Sequence, residues 1–198
     1  MSANELRRKR YEHIVRLADS DFSEHRIDVK LDVGMHRRWL CSRQDTGIYS
    51  FTIVTFPGRL VVAGDIGFLA IEREDSMLEW ARSSLGNLDY VAQKVPQCIQ
   101  TREYDPDIAR EWCRTELAKL KQDGGKPDGW VERIEVIKEV LEDWIDDEGR
   151  TMSELHEAGL FDSGDPPDFR NWTYNFLWCV SALRWFIKRM DAQANGSE

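Results

Sequence analysis

Ile48–Ile71 reads IYSFTIVTFPGRLVVAGDIGFLAI, and this stretch decides the fold. Residues 48–56 are rich in β-branched and aromatic side chains, Pro57-Gly58 is a turn dipeptide, and Leu60–Ala63 resumes the apolar run. Proline presets φ at the first central turn position and glycine tolerates positive φ at the second, so the chain reverses there. A second reversal at Gly64-Asp65-Ile66-Gly67 leads into Phe68–Ile71. Upstream, His25–Val33 alternates strictly. Ile27, Val29, Leu31 and Val33 face one way and Arg26, Asp28, Lys30 and Asp32 the other, the pattern of a half-buried strand. Residues 37–43 add a short strand around Trp39 and Cys41. The expectation is an antiparallel meander of four to five strands over about residues 24–72.

An amphipathic helix over Asn4–Ala18 precedes the sheet, and from Asp75 onward the apolar period becomes helical. Helices are expected over 75–85, from Asn87 or Asp89 to Pro96, and from Asp105-Pro106 to Lys121, the last with proline at its first position. Gly124-Gly125 separates these from a long helix, Gly129–Asp147. Thr151–Glu154 reads as a capping box, Asp165–Asp168 as a rigid loop, and Trp172–Asp191 as the last helix, with a frayed tail from Gln193. Strands first and helices after give an α+β fold, an N-terminal helix and a sheet with the helical region of about 75–192 packed on it. At 198 residues the chain is read as one domain, 1–198.

Composition narrows the function classes. The 8 Trp and 8 Phe suffice for a core. Cys41, Cys98, Cys113 and Cys179 form no C-x-x-C pair and read as reduced core thiols. Met1–Arg10 has a basic run without an apolar segment behind it, so no secretory leader is read. The longest apolar stretch, Trp172–Ile187, falls short of a membrane span, and the expected compartment is the cytosol. The net charge is −9, and residues 103–168 alone carry 20 acidic against 8 basic residues. Such a surface repels phosphate backbones and attracts basic ones, including protein surfaces that themselves bind nucleic acid.

No residues announce a catalytic centre, and whether the chain is an enzyme stays open, leaning against. His13, His25, His36 and His156 lack metal-ligand spacing, so no metal and no cofactor is expected. Gly64–Gly67 opens no helix and reads as a tight turn, with Asp65 a functional carboxylate only in the alternative reading of a nucleotide-signal binder or hydrolase. On the long helix Trp130, Ile134, Ile137, Leu141 and Trp144 form an apolar stripe. Glu135, Glu139, Glu142, Asp143, Asp146 and Asp147 crowd the remaining face against only Arg133 and Lys138. Carboxylates near a helix C-terminus are disfavoured by the dipole, which marks the array as a candidate partner-binding surface. On the last helix Trp172, Phe176, Cys179, Leu183, Phe186 and Met190 form one stripe. Tyr174, Trp178 and Trp185 lie on a second face, either buried or an aromatic partner site.

Thr55–Leu60 with Gly64–Gly67, and Tyr174–Cys179 with Leu183–Trp185, together resemble a family of small proteins encoded by bacteriophages and prophages. These carry a W-P-G-x-L-x-x-x-G-D-x-G segment and an aromatic-rich terminal helix with a W-C pair. Phe56 stands at the usual tryptophan, and the likeness runs from about Trp39 to Asp191 with a weaker middle. No site residue comes with it. The resemblance implies a phage setting, in which accessory proteins of this size often inhibit host machinery or host defence. The expected partner is then a host protein with a basic surface, as in an anti-CRISPR-like inhibitor in the host cytosol, with no direct nucleic-acid binding and no membrane. The charge balance predicts no submicromolar binding to duplex DNA at ~150 mM salt, to be checked by gel shift.

Overall fold

A computed structural model describes residues 2–122, 129–162 and 164–196. In chain order the elements are α1 (Ala3–Asp21), β1 (Arg26–Val33), β2 (His36–Ser42), β3 (Phe51–Phe56), β4 (Arg59–Gly64), β5 (Gly67–Glu72), α2 (Met77–Ser84) and α3 (Leu88–Ala92). They continue with β6 (Arg102–Tyr104), α4 (Pro106–Gln122), α5 (Trp130–Glu139), a π-helical turn (Val140–Trp144), α6 (Glu148–Glu157), β7 (Arg170–Trp172) and α7 (Tyr174–Ala194). This is the expected α+β order of helix, five-stranded antiparallel sheet and helical second half. The glycine pair Gly124-Gly125 lies outside the described residues. The chain, read as one domain from its sequence, divides into two compact units. One holds Met1–Lys9 and Arg102–Asn171, the other Arg10–Thr101 and Trp172–Glu198.

The sheet unit is a meander in the order β1-β2-β3-β4-β5, every pair antiparallel. Its core face is built by alternation. Trp39, Ile53, Val62 and Leu69 lie side by side in one row and Thr55, Leu60 and Ile71 in the next, all buried. Against this face lies α7, buried at every position from Phe176 to Ile187 except Arg184. Trp178 and Trp185 of the second aromatic face therefore belong to the core, at 2% and 9% exposed, whereas Tyr174 at the helix start is 46% exposed. Phe186 packs on Trp39 with ring centroids 5.0 Å apart, and Phe22, in the turn after α1, meets Trp178 edge-on at 5.8 Å. The Arg184 guanidinium donates to the Leu85 carbonyl oxygen and lies over the Tyr11 ring.

Details of the local readings change. β1 is not half-buried. Val29 is 59%, Leu31 45% and Val33 63% exposed, because the strand lies at the sheet edge and a bulge falls between Val29 and Leu31. Val29 pairs with Trp39 on the core face, whereas Leu31 pairs with Arg38 on the other, the face switch that one extra residue imposes. Ser76, not Asp75, precedes α2. Thr173 caps α7, accepting from the Phe176 N–H, so Trp172 belongs to β7 and the helix runs on through Gln193 to Ala194. Cys98 is exposed, while the other three thiols are buried.

The second unit packs Ile108, Ala109 and Cys113 of α4 against Ile134, Ile137 and Val140, with Leu155 and Phe169 closing the cluster. Asp105 starts α4 as expected, its Oδ1 accepting from the Asp107 N–H at 2.9 Å and its Oδ2 from Asn171 Nδ2 at 2.7 Å. Arg7 donates to the carbonyl oxygens of Asp168 and Arg170, each at 2.9 Å, and pins the Asp165–Asp168 loop.

Gly64 is required by packing. A Cβ there would lie 2.2 Å from the Ser50 carbonyl oxygen and 2.6 Å from Phe51 Cα, both backbone atoms that have no room to yield. Gly64→Ala is expected to cost about 2 kcal/mol or more in urea unfolding. Gly86→Ala, whose added methyl meets nothing within 4 Å, should be neutral to slightly stabilising.

Candidate functional site

The acidic array of the helical unit forms on a helix that changes pitch. Beyond Glu139 the backbone enters a π turn, and the buried positions run Ile134, Ile137, Val140 and then Ile145, a step of five. The expected stripe is corrected accordingly: Leu141 and Trp144 are only partly buried, and Val140 and Ile145 take the core places. The carbonyls that a π turn leaves loose find hydroxyl donors. Thr151 Oγ1 donates to the Trp144 oxygen and Tyr104 Oη to the Ile145 oxygen, both at 2.8 Å. Thr151 is therefore not the head of a capping box. Asp147 caps α6 instead, accepting from the Arg150 N–H at 3.0 Å.

The six carboxylates divide into three roles. Glu135 is tied to Lys138 at 2.7 Å, and Asp147 is occupied as the cap. Asp146 lies 3.9 Å from Arg110 with its side chain 85% exposed. Glu139, Glu142 and Asp143 are exposed and make no ion pair among the described residues. The π turn also advances the helix by about one residue, so Glu139, Asp143 and Asp146 no longer share the single face that i, i+4, i+7 spacing implies. They remain a ridge of exposed negative charge. Arg150 closes one end of it, its guanidinium 4.1 Å above the Trp144 ring.

Asp65 sits exposed in the β4–β5 turn, its N–H donating to the Ser50 carbonyl oxygen at 3.0 Å. The two large hollows of the sheet unit are built from other residues.

The larger hollow was not legible in the sequence. It encloses about 800 Å³ where the start of β1 and the end of β2 approach α7, with Arg26, Arg43 and Arg189 around it and Trp185 as one wall. Glu24 and Asp28 also line it, and Arg43 Nε lies 3.1 Å from a Glu24 oxygen. Arg189 donates to the Ser23 carbonyl oxygen at 3.3 Å and stands over the Trp185 ring. A neighbouring hollow of about 650 Å³ shares Trp185 and Arg189 and adds Arg184 and Lys188. These cations come from three distant parts of the chain, so no local spacing announces them.

His25 lines the larger hollow and is 5% exposed, set among the rings of Phe22, Phe51 and Trp185. Its Nε2–H donates to the Tyr49 carbonyl oxygen at 3.1 Å, while Nδ1 is buried without a hydrogen-bond partner. Burial holds its pKa below the usual histidine value, with the Tyr49 bond opposing. Burial likewise pushes the Cys113 and Cys179 thiols up to about 12, and Cys41 further, so these three are protonated packing groups. Among the described residues no three His, Cys, Asp or Glu side chains gather as a metal site, and no helix is long and apolar enough to cross a membrane. Comparison of the chain with protein-family models, curated proteins and solved structures finds no match.

Because burial lowers the His25 pKa in the fold, the unfolded chain takes up a proton there more readily than the folded chain does. Stability is therefore complete above a pH of about 6.5 and falls as pH drops through that value. Melting temperature should decline between pH 7.5 and 5.5, and His25→Gln should flatten that decline. An equal slope in the variant would remove His25 as its cause.

Proposed function

We propose that the protein is a non-enzymatic binding protein that presents the acidic ridge of its helical unit to a basic, nucleic-acid-handling surface of a partner. The observation that carries this reading is the exposure of Glu139, Glu142 and Asp143 without ion-pair partners among the described residues, with Asp146 beside them. The unit around them holds 21 acidic against 13 basic residues, whereas the sheet unit is nearly balanced, with 15 against 14. Uncompensated carboxylates repel one another, and a folded protein retains them at some electrostatic cost unless a positive surface meets them. In the phage setting that the resemblance implies, such a partner is a host protein whose basic groove otherwise holds DNA or RNA, a CRISPR effector being one case.

A second reading has its own observation. Three guanidiniums and a tryptophan wall around an 800 Å³ hollow suit a small anionic ligand with a flat ring, such as a nucleotide. This moves the alternative site from Asp65 to Arg26, Arg43 and Arg189.

Competition separates the two readings. Increasing amounts of the protein should displace labelled DNA from a CRISPR effector at ~150 mM salt, less so at ~500 mM. The triple variant Glu139→Lys/Asp143→Lys/Asp146→Lys should compete at least tenfold more weakly while melting within a few degrees of wild type. Equal competition by the variant would refute the ridge. No displacement by either protein, together with a melting shift from a nucleotide that Arg43→Ala abolishes, would favour the hollow.

A further inference from the structure

His25 forms part of the wall of the larger hollow, and its ring is hydrogen-bonded on one side only. A carbonyl oxygen can only accept, so the bond to Tyr49 fixes the proton of the neutral ring on Nε2. Nδ1 then carries a lone pair, buried and without a partner. Most buried polar atoms are paired, and an exception beside a cavity lined by guanidiniums calls for a cause. Packing fixes the ring in this pose. Phe22 and Trp185 meet it edge-on at 5.3 and 6.0 Å between centroids, and Phe51 stacks on it at 6.1 Å. Tyr49, whose carbonyl takes the bond, holds a positive φ of 58°, a strained backbone state for a non-glycine residue.

We infer that the hollow takes up a small phosphate ester and a proton together, the ester held by guanidiniums and the proton added at His25 Nδ1. The inference rests on the hollow being the anion site of the second reading. Its volume of about 800 Å³ suits such a ligand, since pockets for small molecules span roughly 300–1,000 Å³. Nδ1 is where the proton must go, because Nε2 already carries one. The Tyr49 bond is the same before and after, so the loop need not move.

The charges around His25 explain why the two arrive together. Asp21 ends α1 and Glu24 follows it, Arg26 and Asp28 belong to β1, Arg43 lies just beyond β2, and Arg189 comes from α7. β3 contributes the Phe51 ring, and the loop before it the Tyr49 carbonyl. Glu24 is met by Arg43 at 3.1 Å and Asp28 by Lys30 at 3.3 Å, so Arg26 and Arg189 outweigh Asp21. Burial first, and Arg43 after it, hold the His25 pKa down. An anion among these guanidiniums reverses the balance, because an opposite charge within about 4–6 Å favours the imidazolium. Linkage is reciprocal, so the proton tightens the anion as much as the anion tightens the proton.

Calorimetric titration of the full chain with cyclic AMP tests this, since the single charge of that ester does not change between about pH 5.5 and 7.5. Wild type should bind at least about fivefold more tightly at pH 5.5 than at pH 7.5, and should take up protons, read from the heats in two buffers. His25→Gln keeps a donor for the Tyr49 carbonyl and removes Nδ1, and its affinity should not vary with pH. Arg43→Ala should weaken binding at both pH values. Wild-type binding that is flat in pH and takes up no proton overturns the coupling, and leaves the anion site standing where Arg43→Ala weakens it. An equal pH slope in His25→Gln overturns the coupling too; should that variant fail to fold, the proton count of wild type decides by itself. No binding at either pH, up to millimolar ligand, overturns the anion site and the coupling with it.

Discussion

The contact between α7 and the inner sheet face holds the larger unit together. A five-stranded sheet cannot hide one face by itself, and the helix that hides it is the last element of the chain. Eleven of its side chains are buried, so its sequence is governed almost entirely by what it must fill. Trp178 and Trp185 are core residues for that reason, and their size lets a single helix reach Phe22 beyond the end of α1 as well as the strands. Of its polar members, Ser181 is buried and donates to the Leu177 carbonyl oxygen, whereas Arg184 is only partly buried, bonding the Leu85 carbonyl oxygen and lying over Tyr11. Completion of the core must wait for the C-terminal residues, so early strand pairing proceeds with apolar surface open on both sides.

The helical unit solves a different problem. Its second helix switches to π geometry just where the acidic residues are densest, and two hydroxyls, from Thr151 and Tyr104, absorb the consequence. The exposed carboxylates thus stand on a backbone that is locally irregular but satisfied.

The meander was legible because alternation and the Pro57-Gly58 turn are local signals, and the start of α4 followed from Asp105-Pro106. The bulge in β1 was not, since strict alternation in sequence carries no mark of an extra residue in the pairing. The π turn escaped for the same reason: a 4-3-4-3 stripe through Leu141 and Trp144 fits an ideal helix, and only packing selected Val140 and Ile145 instead. Division into two units was hidden because both of them are discontinuous in sequence. The basic hollow draws on Arg26, Arg43 and Arg189, residues that meet only through tertiary structure. The acidic residues were found by composition, which reports charge but not which carboxylates are already spoken for, as Glu135 and Asp147 are.

The course of the chain between the units has an evolutionary side. β6 and β7 pair where residues 102–171 leave and rejoin the sheet unit, and the Thr173 N–H donates to the Thr101 carbonyl oxygen at 3.0 Å. Exit and return are therefore neighbours in space. Seventy residues hung on two adjacent strands have the topology of a cassette: gain, loss or exchange of the segment leaves the host sheet's connectivity intact. A lineage could thus replace its acidic module and keep the aromatic-helix scaffold, and likeness between relatives would break off near Thr101 and resume near Trp172.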